Sequence, residues 1–207
     1  MTEPVLSLEA IDDLAWDKQH GLLPAIVQDA TTLRVLMLGY MNREALHLTL
    51  ATRKATFYSR SRARLWTKGE TSGNTLDVVR VAADCDCDTL LVLAHPRGVT
   101  CHLGTPSCFA ARAPSSMIGE LDELVAGRDR ERPAGSYTTR LFESGIARMA
   151  QKVGEEGVEV ALAAVTADDA ALLGEAADLI YHLTVLLRAR GKSMRDVDTV
   201  LERRHVP

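Results

Sequence analysis

The sequence predicts two domains, an N-terminal mainly β (α+β) domain and a C-terminal all-α domain. Three observations predict this. Up to about residue 110 the chain runs in short segments rich in Val, Leu, Thr and aromatics, separated by turn residues. From about residue 117 the apolar residues recur near every 3.6 positions, the period of a helix with one buried face. Between these stretches AARAPSSM is small, polar and proline-containing, which places a boundary near 111–116 and domains at 1–113 and 114–207.

The elements follow in order. AIVQD, LRVLML, ATFYS, TLDVVRVA and TLLVLA read as strands. Between the second and third, NREALHLTLATR has a helical pattern with Asn42 as its N-cap. In the second half ELDELVAG, RLFESGIARMAQKVGEEGVEVALAAV, DAALLGEAADLIYHLTVLLRARG and SMRDVDTVLERR read as helices. Asp168 and Ser193 stand at N-cap positions and Gly191 at a C-cap. GRDRERPAGSY reads as an exposed loop within the helical half.

The totals narrow the class. A net charge of −4 with 4% aromatics lacks the basic excess of a bulk nucleic-acid binder. MTEPVLSLEAIDD is acidic, with no basic n-region and apolar h-region, so no signal peptide is expected. No run approaches the roughly 18 apolar residues of a membrane span. A cytoplasmic protein is the expectation, and there cysteines are reduced, metal-bound or catalytic more often than disulfide-bonded.

All four cysteines fall between Cys85 and Cys108, a clustering that points to a site. In ADCDCDTLLVL an extended chain would put Asp84, Asp86 and Asp88 on one face and Cys85 and Cys87 on the other. Asp84 and Asp88 would then be roughly 13 Å apart, too far to share an ion unless the chain curls. An EF-hand is excluded, because Thr89 and His95 replace the required Gly and Glu. Carboxylates suit Mg²⁺ and thiolates suit Zn²⁺, so one segment can serve two metals. Cys85, Cys101 and Cys108 would leave a fourth zinc position for water, the pattern of a catalytic ion, whereas adding Cys87 would close a structural site. Spacing leaves both open.

Upstream, FYSRSRARLWTKGETSGN places Arg60, Arg62 and Arg64 at alternate positions, then Lys68 and the loop GETSGN. These cations could grip phosphate, and the loop amides of Ser72, Gly73 and Asn74 could form an anion nest. A solvated strand face and a polar turn are the alternative.

Taken together, GLLPAIVQD, VLMLGYMNREAL, FYSRSRARLWTKGETSGN, DCDCDTLLVL and CHLGTPSCF resemble phosphoribosyl-AMP cyclohydrolase across residues 14–110. The resemblance implies hydrolytic opening of an adenine ring. It implies Cys85, Cys101 and Cys108 as zinc ligands shared across a homodimer, and Asp84, Asp86 and Asp88 as magnesium ligands. Cys87 falls at the variable position of the motif. Zinc lowers the pKa of bound water from about 15.7 to near 7. His102, beside a ligand, is a candidate proton shuttle, or a histidine that only orients its neighbour.

In the helical half Lys152, Glu155, Glu156 and Glu159 share one helical face, and Glu175 and Asp178 stand three apart. Their apolar surroundings put them along a helix–helix seam, and an all-oxygen set suits Mg²⁺. His182, one turn beyond Asp178, keeps an iron or manganese site as a weaker alternative. SYTTRLFESGIARMAQKVGEEGVEVALAA and LGEAADLIYHLTVLLRARG are similar to phosphoribosyl-ATP pyrophosphohydrolase, across about 117–205. That resemblance implies Glu156, Glu159, Glu175 and Asp178 as magnesium ligands, Glu155 assisting and Lys152 meeting phosphate. Gly154 and Gly157 either permit close approach to the helix or are tolerated. The combination implies two consecutive hydrolytic steps, pyrophosphate release from phosphoribosyl-ATP and then ring opening of phosphoribosyl-AMP. The alternative from another class is a zinc knuckle that binds nucleic acid, fused to a helical dimerisation domain.

Overall fold

The computed structural model describes residues 6–109 and 113–205. Residues 110–112 of the expected junction and 1–5 of the acidic N-terminus lie outside the described residues. The chain divides into two compact units, Met1–Ser116 and Met117–Pro207.

The first unit contains β1 (Leu23–Asp29), β2 (Val35–Met41), α1 (Arg43–Thr52), β3 (Thr56–Ser59), β4 (Arg64–Thr67), β5 (Leu76–Ala83) and β6 (Leu90–Pro96). Four strands form one sheet in the order β2-β1-β6-β5, with β1 and β6 parallel and the outer pairs antiparallel. Alternation decides which face is buried: Leu23, Ala25 and Val27 of β1 and Leu90, Val92 and Ala94 of β6 all point into one core. α1 is capped as its sequence implies, with Asn42 accepting the Ala45 amide at 2.8 Å. The helix is fixed to β3 by Thr49, whose hydroxyl donates to Thr56 O and accepts the Thr56 amide.

The arginine stretch corrects a sequence expectation. Residues 60–63 turn between β3 and β4, which pair as a separate two-stranded sheet with Phe57 opposite Trp66. Ser59 Oγ accepts the Arg62 amide at 3.3 Å, and Ala63 adopts φ +47°. Arg60, Arg62 and Arg64 therefore do not line one strand face. The strand β4 is four residues long and is set by its pairing with β3.

The second unit has α2 (Met117–Glu131), α3 (Tyr137–Glu143), α4 (Ile146–Thr166), α5 (Asp169–Ala189) and α6 (Met194–His205). The single helix expected over 140–165 is two, because Gly145 takes φ +83° and Ser144 Oγ turns back to Leu141 O at 2.6 Å. The expected loop over 127–137 is shorter, because Gly127 to Glu131 continue α2. The expected caps form: Asp168 accepts the Ala171 amide, and Lys192 and Gly191 return to the carbonyls of Leu187 and Arg188 beyond α5. Ser193 and Asp196 exchange amide hydrogen bonds in a capping box that starts α6. Val125, Leu141, Phe142, Met149 and Val185 make the small core.

α5 (21 residues) is long and apolar enough, by length and composition alone, to cross a membrane, which corrects the expectation that no run approaches such a span. It carries Glu175 and Asp178 at mid-length and packs along α4, its neighbour in sequence.

Candidate active sites

Residues 84–89 close the hairpin between β5 and β6. Asp84 N donates to Thr89 O at 3.0 Å, Cys87 N to Asp84 O at 3.2 Å, and Cys87 takes φ +60°. Asp84 Oδ1 accepts the amides of Asp88 and Thr89, each at 3.0 Å. This curl brings one oxygen each of Asp84, Asp86 and Asp88 within 4.8 Å of one another. The donor set is all carboxylate, which fits a hard divalent ion. Lys18 lies on it, its Nζ 2.7 Å from Asp86 Oδ2 and 3.6 Å from Asp88 Oδ2. That hydrogen bond holds the Asp86 carboxyl below the ordinary carboxylate range.

Cys101 and Cys108 meet elsewhere in the same unit. Their loop is fixed to β2, with Cys108 N donating to Leu36 O at 2.7 Å and Ser107 Oγ to Val35 O at 2.7 Å. The Leu103 amide, and then the Thr105 hydroxyl, pull the Cys101 thiol down. Burial, and then charge on Cys101, push Cys108 up. The pair loses one proton readily and the second reluctantly, a setting that a cation would reverse. Cys85 is exposed on the acidic hairpin, and no cluster of three metal-binding side chains among the described residues includes it with Cys101 and Cys108.

These two thiols sit in the wall of a cavity of about 560 Å³. Arg62, Arg64, Lys68, Ser72, Asn74 and His102 also line it. Arg60 and Gly73 do not: the Arg60 guanidinium stacks 3.8 Å from the Tyr40 ring centroid. Burial pulls the Lys68 ammonium down while the nearby Cys108 and Cys101 sulfurs oppose it. The GETSGN loop is clamped, because a Cβ on Gly69 would lie 2.5 Å from the Asn74 carbonyl carbon and one on Gly98 2.5 Å from Asn74 Oδ1. The amides of Glu70, Gly73, Asn74 and Thr75 donate within the loop, so those four do not form an anion nest. His102 Nδ1 is 3.9 Å from Cys101 Sγ. Thr100, buried beside Cys101, presents a hydroxyl without a hydrogen-bond partner among the described residues.

In the second unit α4 and α5 bring one oxygen each of Glu156, Glu175 and Asp178 within 4.8 Å of one another. Glu156 is buried and accepts from Lys152 Nζ at 2.6 Å, which holds its carboxyl low and raises the ammonium well above the ordinary lysine range. Glu159 stands outside this trio, exposed, with its carboxyl raised first by the charge of Glu156. Glu155 turns away to Arg148 at 3.1 Å, Gln151 at 2.8 Å and Lys152 at 2.9 Å. His182 Nε2 reaches Glu156 at 3.6 Å, and burial favours its neutral form. It is not one of the three, so the cluster is all oxygen and fits Mg²⁺ better than iron. A Cβ on Gly154 or Gly157 would meet nothing within 4 Å among the described residues beyond the helix's own backbone, so packing there requires neither glycine.

The family model for phosphoribosyl-AMP cyclohydrolase matches residues 37–110 and that for phosphoribosyl-ATP pyrophosphohydrolase matches residues 118–205. The histidine biosynthesis bifunctional protein HisIE of Xylella fastidiosa (strain Temecula1 / ATCC 700964) is 66% identical over 203 residues, 98% of each chain. The chain belongs to the HisIE family. HisIE of Escherichia coli (strain K12) is 55% identical over 194 residues, 93% of this chain and 96% of that one. HisIE of Photobacterium profundum is 51% identical over 205 residues, 96% and 99%. The chain is therefore a bifunctional hydrolase of histidine biosynthesis, with phosphoribosyl-ATP pyrophosphohydrolase and phosphoribosyl-AMP cyclohydrolase activities. Its substrates are phosphoribosyl-ATP and phosphoribosyl-AMP.

Two residues escaped sequence reasoning. Lys18 is 68 positions from Asp86, so only the fold joins them. Thr100 gave no periodic or compositional signal, although its place before Cys101 could have drawn notice.

Proposed function

We propose that the cyclohydrolase step runs in the domain of residues 1–113 and the pyrophosphohydrolase step in that of residues 114–207. Cys101 and Cys108 would hold Zn²⁺ with Cys85 supplied by a second copy of the chain, in a homodimer. The observation that carries this reading is the meeting of Cys101 and Cys108 in a cationic cavity while Cys85 stays exposed apart from them. Exposed Val158, Leu162 and Val165 on α4 offer a second copy further apolar surface. Zinc, when bound, lowers the pKa of its water toward neutrality.

The chain's own groups supply the rest. Arg62 and Lys68 grip the substrate phosphate, with Ser72 and Asn74 shaping the wall and Arg60 and Gly73 supporting from outside it. His102 moves a proton between solvent and the ring being opened. Asp84, Asp86 and Asp88 hold Mg²⁺. In the second domain Glu156, Glu159, Glu175 and Asp178 hold Mg²⁺, which neutralises the polyphosphate. Lys152 meets phosphate, and Glu155 keeps Lys152 in place and assists in aligning water. We place the enzyme in the cytoplasm, where cysteines clustered this way serve as metal ligands more often than as disulfides.

The test is selective restoration of chelator-treated protein. Magnesium alone should restore pyrophosphate release from phosphoribosyl-ATP, and ring opening should require zinc as well. Ring opening restored fully by magnesium without zinc would refute the zinc assignment.

A further inference from the structure

We infer that Lys18 is a tethered counter-ion of the acidic hairpin, occupying the cation position between Asp86 and Asp88 until a divalent ion displaces it. The inference rests on the reading of Asp84, Asp86 and Asp88 as magnesium ligands. Among the described residues, Lys18 is the cation paired with both Asp86 and Asp88. Its Nζ takes Asp86 Oδ2 at 2.7 Å and the Asp86 carbonyl at 3.2 Å. The third carboxylate is engaged differently, since Asp84 Oδ1 already accepts two amides.

The ammonium is delivered by a built segment. Trp16 is 1% exposed and donates its indole N–H to Ile11 O at 2.8 Å. It opens the short 3₁₀ turn Trp16–Gln19, and Gly21 N closes back on Trp16 O at 2.8 Å. Immediately before it, Ala15 N donates to Cys87 O at 2.8 Å, which fastens this segment to the acidic hairpin itself. The turn that carries Lys18 is thus closed on itself and fastened to the hairpin through Ala15.

Three carboxylates whose oxygens lie within 4.8 Å repel one another, and an ammonium offsets that repulsion. It cannot stay where it is when a divalent ion binds. Mg²⁺ demands ligand oxygens at about 2.0–2.1 Å in octahedral geometry, and Lys18 already holds one carboxylate oxygen of Asp86 and lies 3.6 Å from one of Asp88. Binding must therefore exchange one cation for another. Lys18 keeps the hairpin curled without metal, at the cost of a weaker apparent affinity for metal.

The experiment uses the full chain, stripped of metal and carrying Glu175→Gln and Asp178→Asn to silence the helical site. Free Mn²⁺ is followed by electron paramagnetic resonance as the ion is titrated in. Lys18→Met and, as a second neutral variant, Lys18→Gln should each bind Mn²⁺ roughly three- to tenfold more tightly than the parent, with the difference shrinking at high salt. Lys18→Arg should stay near the parent. Unchanged or weaker binding in both neutral variants would overturn the inference. Asp86→Asn separates the site from its counter-ion: loss of Mn²⁺ binding upholds the acidic site, whereas parent-like binding would remove the site and the inference with it.

Discussion

Cys87 lies between two members of the acidic trio, yet it packs against the apolar core of its unit. Among the described residues, no cluster of three metal-binding side chains joins it to the Cys101–Cys108 pair. Cys87→Ser should therefore retain tightly bound zinc and cyclohydrolase activity, while Cys101→Ser should lose both, as measured by metal content and by assay with phosphoribosyl-AMP. The arginines divide in the same way. Arg62 lines the cavity and Arg60 stacks on Tyr40. Arg62→Ala should raise KM for phosphoribosyl-AMP by roughly 10- to 150-fold, the equivalent of about 1.5–3 kcal/mol for a charge-assisted contact. Arg60→Ala should raise it far less. Sequence could not distinguish these arginines, because they are two positions apart in a stretch that reads equally well as one strand face. It did expose the ligand types, since carboxylates and thiolates at such density have few structural uses. Lys18 was invisible for the opposite reason: a lone lysine in a polar stretch carries no pattern.

At the scale of elements, capping residues and periodic apolar faces were legible, because each acts within one turn of chain. Asn42, Asp168 and Ser193 all accept the amides their positions imply. The break at Gly145 and the strand β4 were not legible. The first needs a left-handed residue inside an otherwise continuous helical period, and the second is specified by pairing with β3 rather than by an apolar run. α2 carries an element-level liability in Asp122, which is 9% exposed and accepts the first amide of α6, from Met194, at 3.4 Å. Burial raises its carboxyl above the ordinary value of 3.8. A raised carboxyl pKa means that folding favours the protonated form. This contribution to stability is full below the unfolded value, falls as pH rises through the folded one, and stays low at neutrality. Asp122→Asn should accordingly raise the melting temperature of the helical unit at pH 7 and change it little at pH 3. Each 1 kcal/mol regained would appear as roughly 4–8 °C in a unit of this size. Differential scanning calorimetry at the two pH values measures it.

For the whole molecule, the residues proposed for the two steps lie in separate compact units, so the two activities should separate by mutation. Glu159→Gln should block pyrophosphate release yet open the ring of supplied phosphoribosyl-AMP. Cys101→Ser should consume phosphoribosyl-ATP and accumulate phosphoribosyl-AMP. Mixing the two variants should restore the full conversion, followed by chromatography of the intermediates; failure of the mixture alone would mean that the intermediate does not pass freely between molecules. The parallel pairing at the centre of the sheet has a consequence of another kind. Ala25 lies opposite Leu90, so the first unit cannot close its core until distant parts of the chain have found each other. The second unit is dominated by α4 and α5, neighbours in sequence, and can form by local zipping. Both tryptophans, Trp16 and Trp66, belong to the slow unit. After dilution from denaturant, ellipticity at the helical band should recover ahead of tryptophan fluorescence, and during synthesis the half made first should be the half that matures last.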